Sequence, residues 1–202
     1  MVASSIHPWP VRLTHWINAL GMPCMFLSGW GIYNASPLLP FKFPLWATLG
    51  GWLGGSIAWH LAVMWLLIVN ASVYGLYGLF SRHFQRSFTP VTAQAVKRDL
   101  GQALTFTLKH HLGQYNAVQR LLYWAVLALG VLVVLSGLAI WKPVQLYWLA
   151  APLGGFDVAR YVHFIAMAGI GVFVLVHLIL VALVPSTLWP MITGRARGQR
   201  HD

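Results

Sequence analysis

Four long stretches of this chain contain no Asp, Glu, Lys or Arg: Leu13 to Phe41, Phe43 to Ser81, Leu121 to Trp141, and Tyr161 to Gly194. Each can hold the roughly 20 apolar residues that cross a hydrocarbon core as a helix. A soluble domain carries about 25% charged residues; this chain has 8% charged and 58% hydrophobic residues. The runs are continuously apolar rather than alternating, which selects helices over the strands of a barrel. The fold expected is all-α and integral to the membrane, a four-transmembrane-helix bundle with spans at about 13–33, 54–80, 121–141 and 161–184.

The net charge of +10 is concentrated beside span ends, so it argues orientation rather than nucleic-acid binding. Arg82, Arg86, Lys97, Arg98, Lys109 and Arg120 flank or occupy the connection at 81–119, and Arg195, Arg197 and Arg200 lie in the tail. The two other connections hold or adjoin only Lys42, Lys142 and Arg160. By the positive-inside rule both termini and the 81–119 loop face the cytoplasm of a bacterial inner membrane. Trp46, Trp141, Tyr147 and Trp148 fit an aromatic belt on the outer side. The first span has one upstream Arg, is interrupted by Asn18 and Pro23, and offers no small-residue cleavage site, so it reads as a mature span rather than a signal peptide.

Residues 1–202 read as one domain, without an internal repeat or low-complexity linker. The lone Cys24 provides neither a disulfide framework nor a haem-attachment motif and reads as a packing residue. Within the long connection, TAQAVKRDLGQALTFTLKHH puts Val96, Leu100, Leu104 and Leu108 at four-residue spacing. That pattern suits a short helix on a lipid surface, and equally an ordinary solvated loop. The connection NASPLLPFKFP holds three prolines and should be irregular.

Nine histidines occur; His7, His83, His110, His111 and His201 lie outside the spans and read as solvated. His15, His60, His163 and His177 lie inside them, where an ionisable group is costly and by default functional. Fourteen residues separate His163 from His177. That is a rise of roughly 21 Å with the two side chains within about 40° of one face. His15 starts a helix at the cytoplasmic side and shares the depth of His177, while His60 starts one outside and shares the depth of His163. Two histidines at each of two levels suit axial ligation of two stacked haems, with a proton relay or hydrogen bonding across helices as the other readings. Zinc fits poorly, since neither level offers a Cys, Asp or Glu to complete a tetrahedron. Gly21, Gly29, Gly31, Gly130, Gly137, Gly169 and Gly171 are candidates for close approach to a flat ring or for plain helix contacts. Met64 and Met167 read as packing residues, and Arg12 and Arg160 as partners for haem propionates or as boundary charges.

R-x-x-H-W at Arg12 to Trp16, S-G-W at Ser28 to Trp30, His60, Y-N-A-V-Q-R at Tyr115 to Arg120, S-G-L at Ser136 to Leu138 and the His163–His177 spacing together resemble the prokaryotic di-haem cytochrome b superfamily. That superfamily includes the cytochrome b-561 type and the cytochrome b subunits of nickel-iron hydrogenase, formate dehydrogenase and thiosulfate reductase. From Trp141 onward, WKPVQL, GGFDVARYVHF and VPSTLWPMITGRA look most like the thiosulfate-reductase-type branch. The resemblance implies ligand pairs His15 with His177 and His60 with His163. It also implies a quinone site at Asn116, His177, Gln119 and Arg120 beside the inner haem.

The function expected is transmembrane electron transfer through two non-covalent b haems, between ubiquinone or menaquinone in the membrane pool and a periplasmic redox partner. The resemblance implies a molybdopterin oxidoreductase as that partner, and no partner redox site is encoded in the chain. A stand-alone superoxide:quinone oxidoreductase is the alternative in the same fold, with Lys42, Lys142 and Arg160 steering the anion. A histidine-dependent small transporter or assembly scaffold is the alternative from another class.

Overall fold

The computed structural model describes residues 6–105 and 115–194, apart from the side chains at 103 and 104, and all regular structure among them is helical. In chain order the helices are α1 (Trp9–Ala35), α2 (Leu53–Phe80), α3 (His83–Phe88), α4 (Ala93–Leu104), α5 (Ala117–Trp141), α6 (Tyr147–Ala150), α7 (Phe156–Leu183) and α8 (Leu188–Thr193). Leu108, Lys109, His110, His111, Arg195, Arg197, Arg200 and His201 lie outside the described residues. Among those described, α2, α5 and α7 are long and apolar enough to cross a membrane. The first expected span is present as the 27-residue α1, but Thr14, His15, Asn18, Ser28 and Asn34 dilute its apolar character, and it falls short of that measure. The chain forms two compact units, Met1–Ser81 and Arg82–Asp202.

The first unit is an antiparallel hairpin of α1 and α2. Asn70 Nδ2 donates to the Thr14 carbonyl at 2.9 Å, Gly21 faces Leu67, and Ser28 meets His60, so numbers rise along one helix as they fall along the other. Contrary to the expected interruption, α1 runs unbroken through Asn18 and Pro23. A proline removes one N–H bond, which the flanking turns of a long helix survive, and Asn18 is tied sideways by accepting from Asn70 Nδ2 at 2.8 Å. The proline-rich connection is irregular, as expected, but pinned. Asn34 and Phe43 exchange two bonds, with Asn34 Nδ2 donating to the Phe43 carbonyl and Phe43 N–H donating to Asn34 Oδ1, each at 2.8 Å. The Phe43 ring stacks on Trp30 at 4.6 Å. At Gly50, φ is +109° and a Cβ would run into the backbone at Gly55 and Ser56, so only glycine fits.

The second unit centres on α5 and α7, also antiparallel: Gly137 faces His163 and Leu129 faces Gly169. Small side chains allow the approach, with Ala139, Ala159 and Ala166 fully buried. Ala139, Ala150 and Ala159 form a compact core with Ile140, Leu149 and Leu153. Meanwhile Val172, Leu175, Leu178 and Leu183 on α7 are exposed. A surface lined by large apolar side chains suits a hydrocarbon solvent rather than water.

The expected start of the third span, residue 121, is late by a turn. α5 begins at Ala117 because Asn116 and Gln119 form a capping box: Asn116 Oδ1 accepts from Gln119 N–H at 2.8 Å and Gln119 Oε1 accepts from Asn116 N–H at 3.1 Å. Helix α4 occupies part of the stretch read as either a surface helix or a loop. Leu100, one of its four-residue-spaced apolar positions, is exposed, whereas Asp99 is buried.

Candidate functional site

In the first unit, Ser28 on α1 is fully buried against His60 on α2. Its Oγ donates to the Cys24 carbonyl at 2.6 Å and lies 3.0 Å from His60 Nδ1. A hydroxyl has one hydrogen, and a carbonyl can only accept. With that hydrogen given to the helix, Ser28 Oγ receives Nδ1–H from His60. The neighbouring Gly29 faces the same ring, where a Cβ would stand 3.4 Å from His60 Cε1, at the near limit of ordinary contact.

The second unit repeats the device. Ser136 on α5, fully buried, donates to the Leu132 carbonyl at 2.7 Å and lies 3.2 Å from His163 Nδ1 on α7. The same Nδ1 is 2.9 Å from the Val133 carbonyl, an obligate acceptor, so Nδ1 carries the proton. A Cβ on Gly137 would stand 3.1 Å from His163 Cε1. In the second unit the imidazole is held as the tautomer whose lone pair is on Nε2, the form that ligates a metal while the other nitrogen is hydrogen-bonded, and the Ser28 contact accommodates the same tautomer at His60.

Each unit also carries a second histidine at a matched distance. Ser28, which marks the level of His60 on α1, follows His15 by 13 residues (28 minus 15), a rise of about 20 Å. His163 and His177 are 14 residues apart on α7 (177 minus 163), a rise of about 21 Å. All four histidines are half-buried. His15 meets the Trp16 ring edge-on at 5.3 Å, and His177 is parallel to the Phe173 ring at 6.2 Å.

Of the other expected site residues, Arg12 has its Nε buried with no hydrogen-bond partner among the described residues, three positions from His15. A buried guanidinium N–H in need of an acceptor fits a carboxylate such as a haem propionate. Arg160 lies over the Phe156 ring, its guanidinium carbon 5.9 Å from the centroid. Asn116, Gln119 and Arg120 come together at the start of α5. The first two give their side-chain oxygens to the capping box, and Arg120 Nη1 donates to the Pro90 carbonyl at 3.0 Å. Of the glycines considered for a flat ring, Gly29 and Gly137 face histidines, Gly21, Gly31 and Gly169 face side chains of the neighbouring helix, and Gly130 faces open space. Met64 is buried as a packing residue.

Three features at this end of the second unit escaped the sequence reading. Asp99, buried on α4, accepts from Ala117 N–H at 2.8 Å and pairs with Arg98 at 3.0 Å. The Ala117 bond, helped by Arg98 and Arg120, holds its carboxyl below the ordinary value of 3.8. Tyr115 joins Phe88, Tyr123 and Trp124 in an aromatic cluster, and burial pushes its phenol up. His83, expected to be solvated, packs edge-on to Phe88 at 5.7 Å, and burial pushes its imidazole down.

The donor set fits a haem: two histidines whose Nδ1 meets a buried serine followed by a glycine, two more at a common axial distance, and a buried Arg12 Nε–H without an acceptor among the described residues. Comparison with known proteins agrees with this chemistry. Residues 6–194 match the family model described as prokaryotic cytochrome b561. The chain is 47% identical over 191 residues to the putative protein-methionine-sulfoxide reductase subunit YedZ1 of Azospira oryzae, covering 94% of this chain and 96% of that relative. No solved structure matches the chain.

Proposed function

Since the chain belongs to the prokaryotic cytochrome b561 family, a group of b-haem membrane electron-transfer proteins, we propose that it carries electrons across the bacterial inner membrane through two b haems. His60 and His163 hold the outer haem, and His15 and His177 hold the inner one. Residues 1–202 serve in this reading as one membrane domain with both termini in the cytoplasm. The observation that carries this reading is the common separation of about 20 Å between the two histidines of each hairpin, since two irons at fixed levels require the same spacing on both sides.

Bound haem supplies one-electron redox chemistry at potentials tuned by its ligands and surroundings. The chain supplies everything that places it. Ser28 and Ser136 orient the outer histidines, Gly29 and Gly137 give them room, and Arg12 and Arg160 neutralise propionates. At the inner side Asn116, Gln119, Arg120 and His177 receive the quinone, ubiquinone or menaquinone, with the Asn116 and Gln119 amide N–H groups still available as donors.

The relative's name points to a partner that reduces methionine sulfoxide. That fits the periplasmic oxidoreductase, of molybdopterin type, expected from the sequence. Reduction of a sulfoxide to a thioether consumes two electrons and two protons and forms water, and one quinol releases two of each. Electrons would then run from quinol at Asn116, Gln119, Arg120 and His177 toward the partner, the haems held by the four histidines supplying the one-electron relay.

Pyridine haemochrome quantification tests the scheme, with two haems b expected per chain. His15→Ala and His177→Ala should remove the same haem, and His60→Ala and His163→Ala the other. A single haem in the wild-type protein, or different losses within a pair, would refute the assignment.

A further inference from the structure

We propose that Ser28 and Ser136 are positioning residues that set the donor strength of the two outer histidines, and through them the potential of the outer haem. This rests on the ligand pairing proposed above. The same device occurs once in each hairpin. A fully buried serine sits one turn from the carbonyl it donates to, a glycine follows it, and a histidine from the facing helix brings Nδ1 to within 3.0 Å or 3.2 Å of the hydroxyl.

The serine-to-histidine separations along the chain are 32 and 27 residues, so the two contacts do not share one loop geometry. What they share is chemistry. Each hydroxyl commits its hydrogen to its own helix at 2.6 Å or 2.7 Å, which leaves only lone pairs for the imidazole. Both serines are fully buried, so water does not compete for the bond. An N–H on one ring nitrogen that donates to an oxygen raises the basicity of the other. At His163 the Val133 carbonyl, 2.9 Å from Nδ1, shares the proton with Ser136 at 3.2 Å and stays as an acceptor when the hydroxyl is removed, so Ser28 has the larger effect of the two serines. The outer haem would thus have both axial ligands strengthened, which favours ferric over ferrous iron and lowers the potential. No charged side chain is needed inside the bilayer to do it.

The test uses the full-length protein purified with its haems. Ser28→Ala, Ser136→Ala and the double variant are titrated spectroelectrochemically beside the wild type, with haem counted by pyridine haemochrome. Expected is retention of two haems, with the midpoint of one moving upward and the other unmoved. A tenfold loss of ferric preference reads as about 59 mV for a one-electron couple. Ser→Thr at the same positions, which keeps the hydroxyl, should return the potential toward wild type. If alanine instead costs the outer haem, threonine should restore it.

Unchanged potentials in the double variant would overturn the proposal, and so would equal shifts in both haems or haem loss that threonine does not repair. His60→Ala and His163→Ala run in parallel keep the two ideas apart. If those variants fail to remove one common haem, the pairing is wrong. If they do remove it while Ser→Ala changes nothing, only the serine role falls.

Discussion

Replacing Asp99 with Ala should loosen the start of α5, and the structure fixes by how much. Ala117 N–H is in the first turn, where no helical carbonyl is in reach, and it donates to Asp99 Oδ2 at 2.8 Å. Both residues are buried, so water does not readily replace the acceptor. A buried donor left unsatisfied costs about 1–3 kcal/mol. The Arg98 pair adds little, because the Arg98 side chain is 68% exposed and such pairs contribute about 0–1 kcal/mol.

At 1.4 kcal/mol per decade, opening of this turn should become about 5- to 140-fold more frequent. Asp99→Asn keeps an acceptor oxygen but loses the charge that roughly doubles such a bond, so it should lose about half as much free energy. Hydrogen–deuterium exchange of the haem-loaded protein in nanodiscs, followed on peptides covering Tyr115 to Trp124, measures the effect. Peptides from the middle of α7 serve as the control. Exchange in Asp99→Ala within twofold of wild type would show that the buried carboxylate is not what holds the turn.

The pH dependence follows from the same group. Because Ala117 and then Arg98 hold the Asp99 carboxyl below 3.8, its contribution is complete above the unfolded value and is lost as pH falls through the lower folded one. The melting-temperature gap between wild type and Asp99→Asn should therefore be flat from neutral pH down to about 5 and shrink below about 4. Asn70→Ala removes the donor to both the Thr14 carbonyl and Asn18 Oδ1, and should destabilise the first hairpin by about 1–3 kcal/mol in a reversible unfolding assay. Gly137→Ala, with its Cβ 3.1 Å from His163, should broaden the outer-haem spectrum more than Gly29→Ala, at 3.4 Å from His60. Low-temperature absorption of the alpha bands measures that order.

The long helices were legible because charge is excluded from a bilayer, and the gaps from Arg12 to Lys42, Lys42 to Arg82, Arg120 to Lys142 and Arg160 to Arg195 mark them directly. Their ends were less so, since a helix stops or starts where its terminal groups find partners. The N-A-V-Q run at Asn116 to Gln119 held a readable capping signal for α5 that hydropathy alone passes over. Asn18 and Pro23 looked like interruptions because helix propensity is calibrated on water, and only the tie to Asn70 shows how α1 carries them. The proposed histidine ligands were visible as misplaced polar residues, but the serines beside His60 and His163 lie too far away in sequence for any local pattern. The sole trace was the repeated Ser-Gly at Ser28 and Ser136. Asp99 was hidden differently: it follows Lys97 and Arg98 directly and reads as part of a solvated charge run, and its burial depends on Ala117, 18 residues away.

The pinned connection of the first hairpin bears on biogenesis. The bonds that fix it, from Leu49 N–H to the Leu27 carbonyl, from Ser56 Oγ to the Leu49 carbonyl, and between Asn34 and Phe43, all lie before residue 57. The Ser28–His60 contact needs only four residues more. A ribosome that has delivered α2 has thus delivered every group required to close this half. The polypeptide can hold His60 in place against Ser28 while the rest of the chain is still being made, so this hairpin needs nothing from the second unit to set the position of that ring.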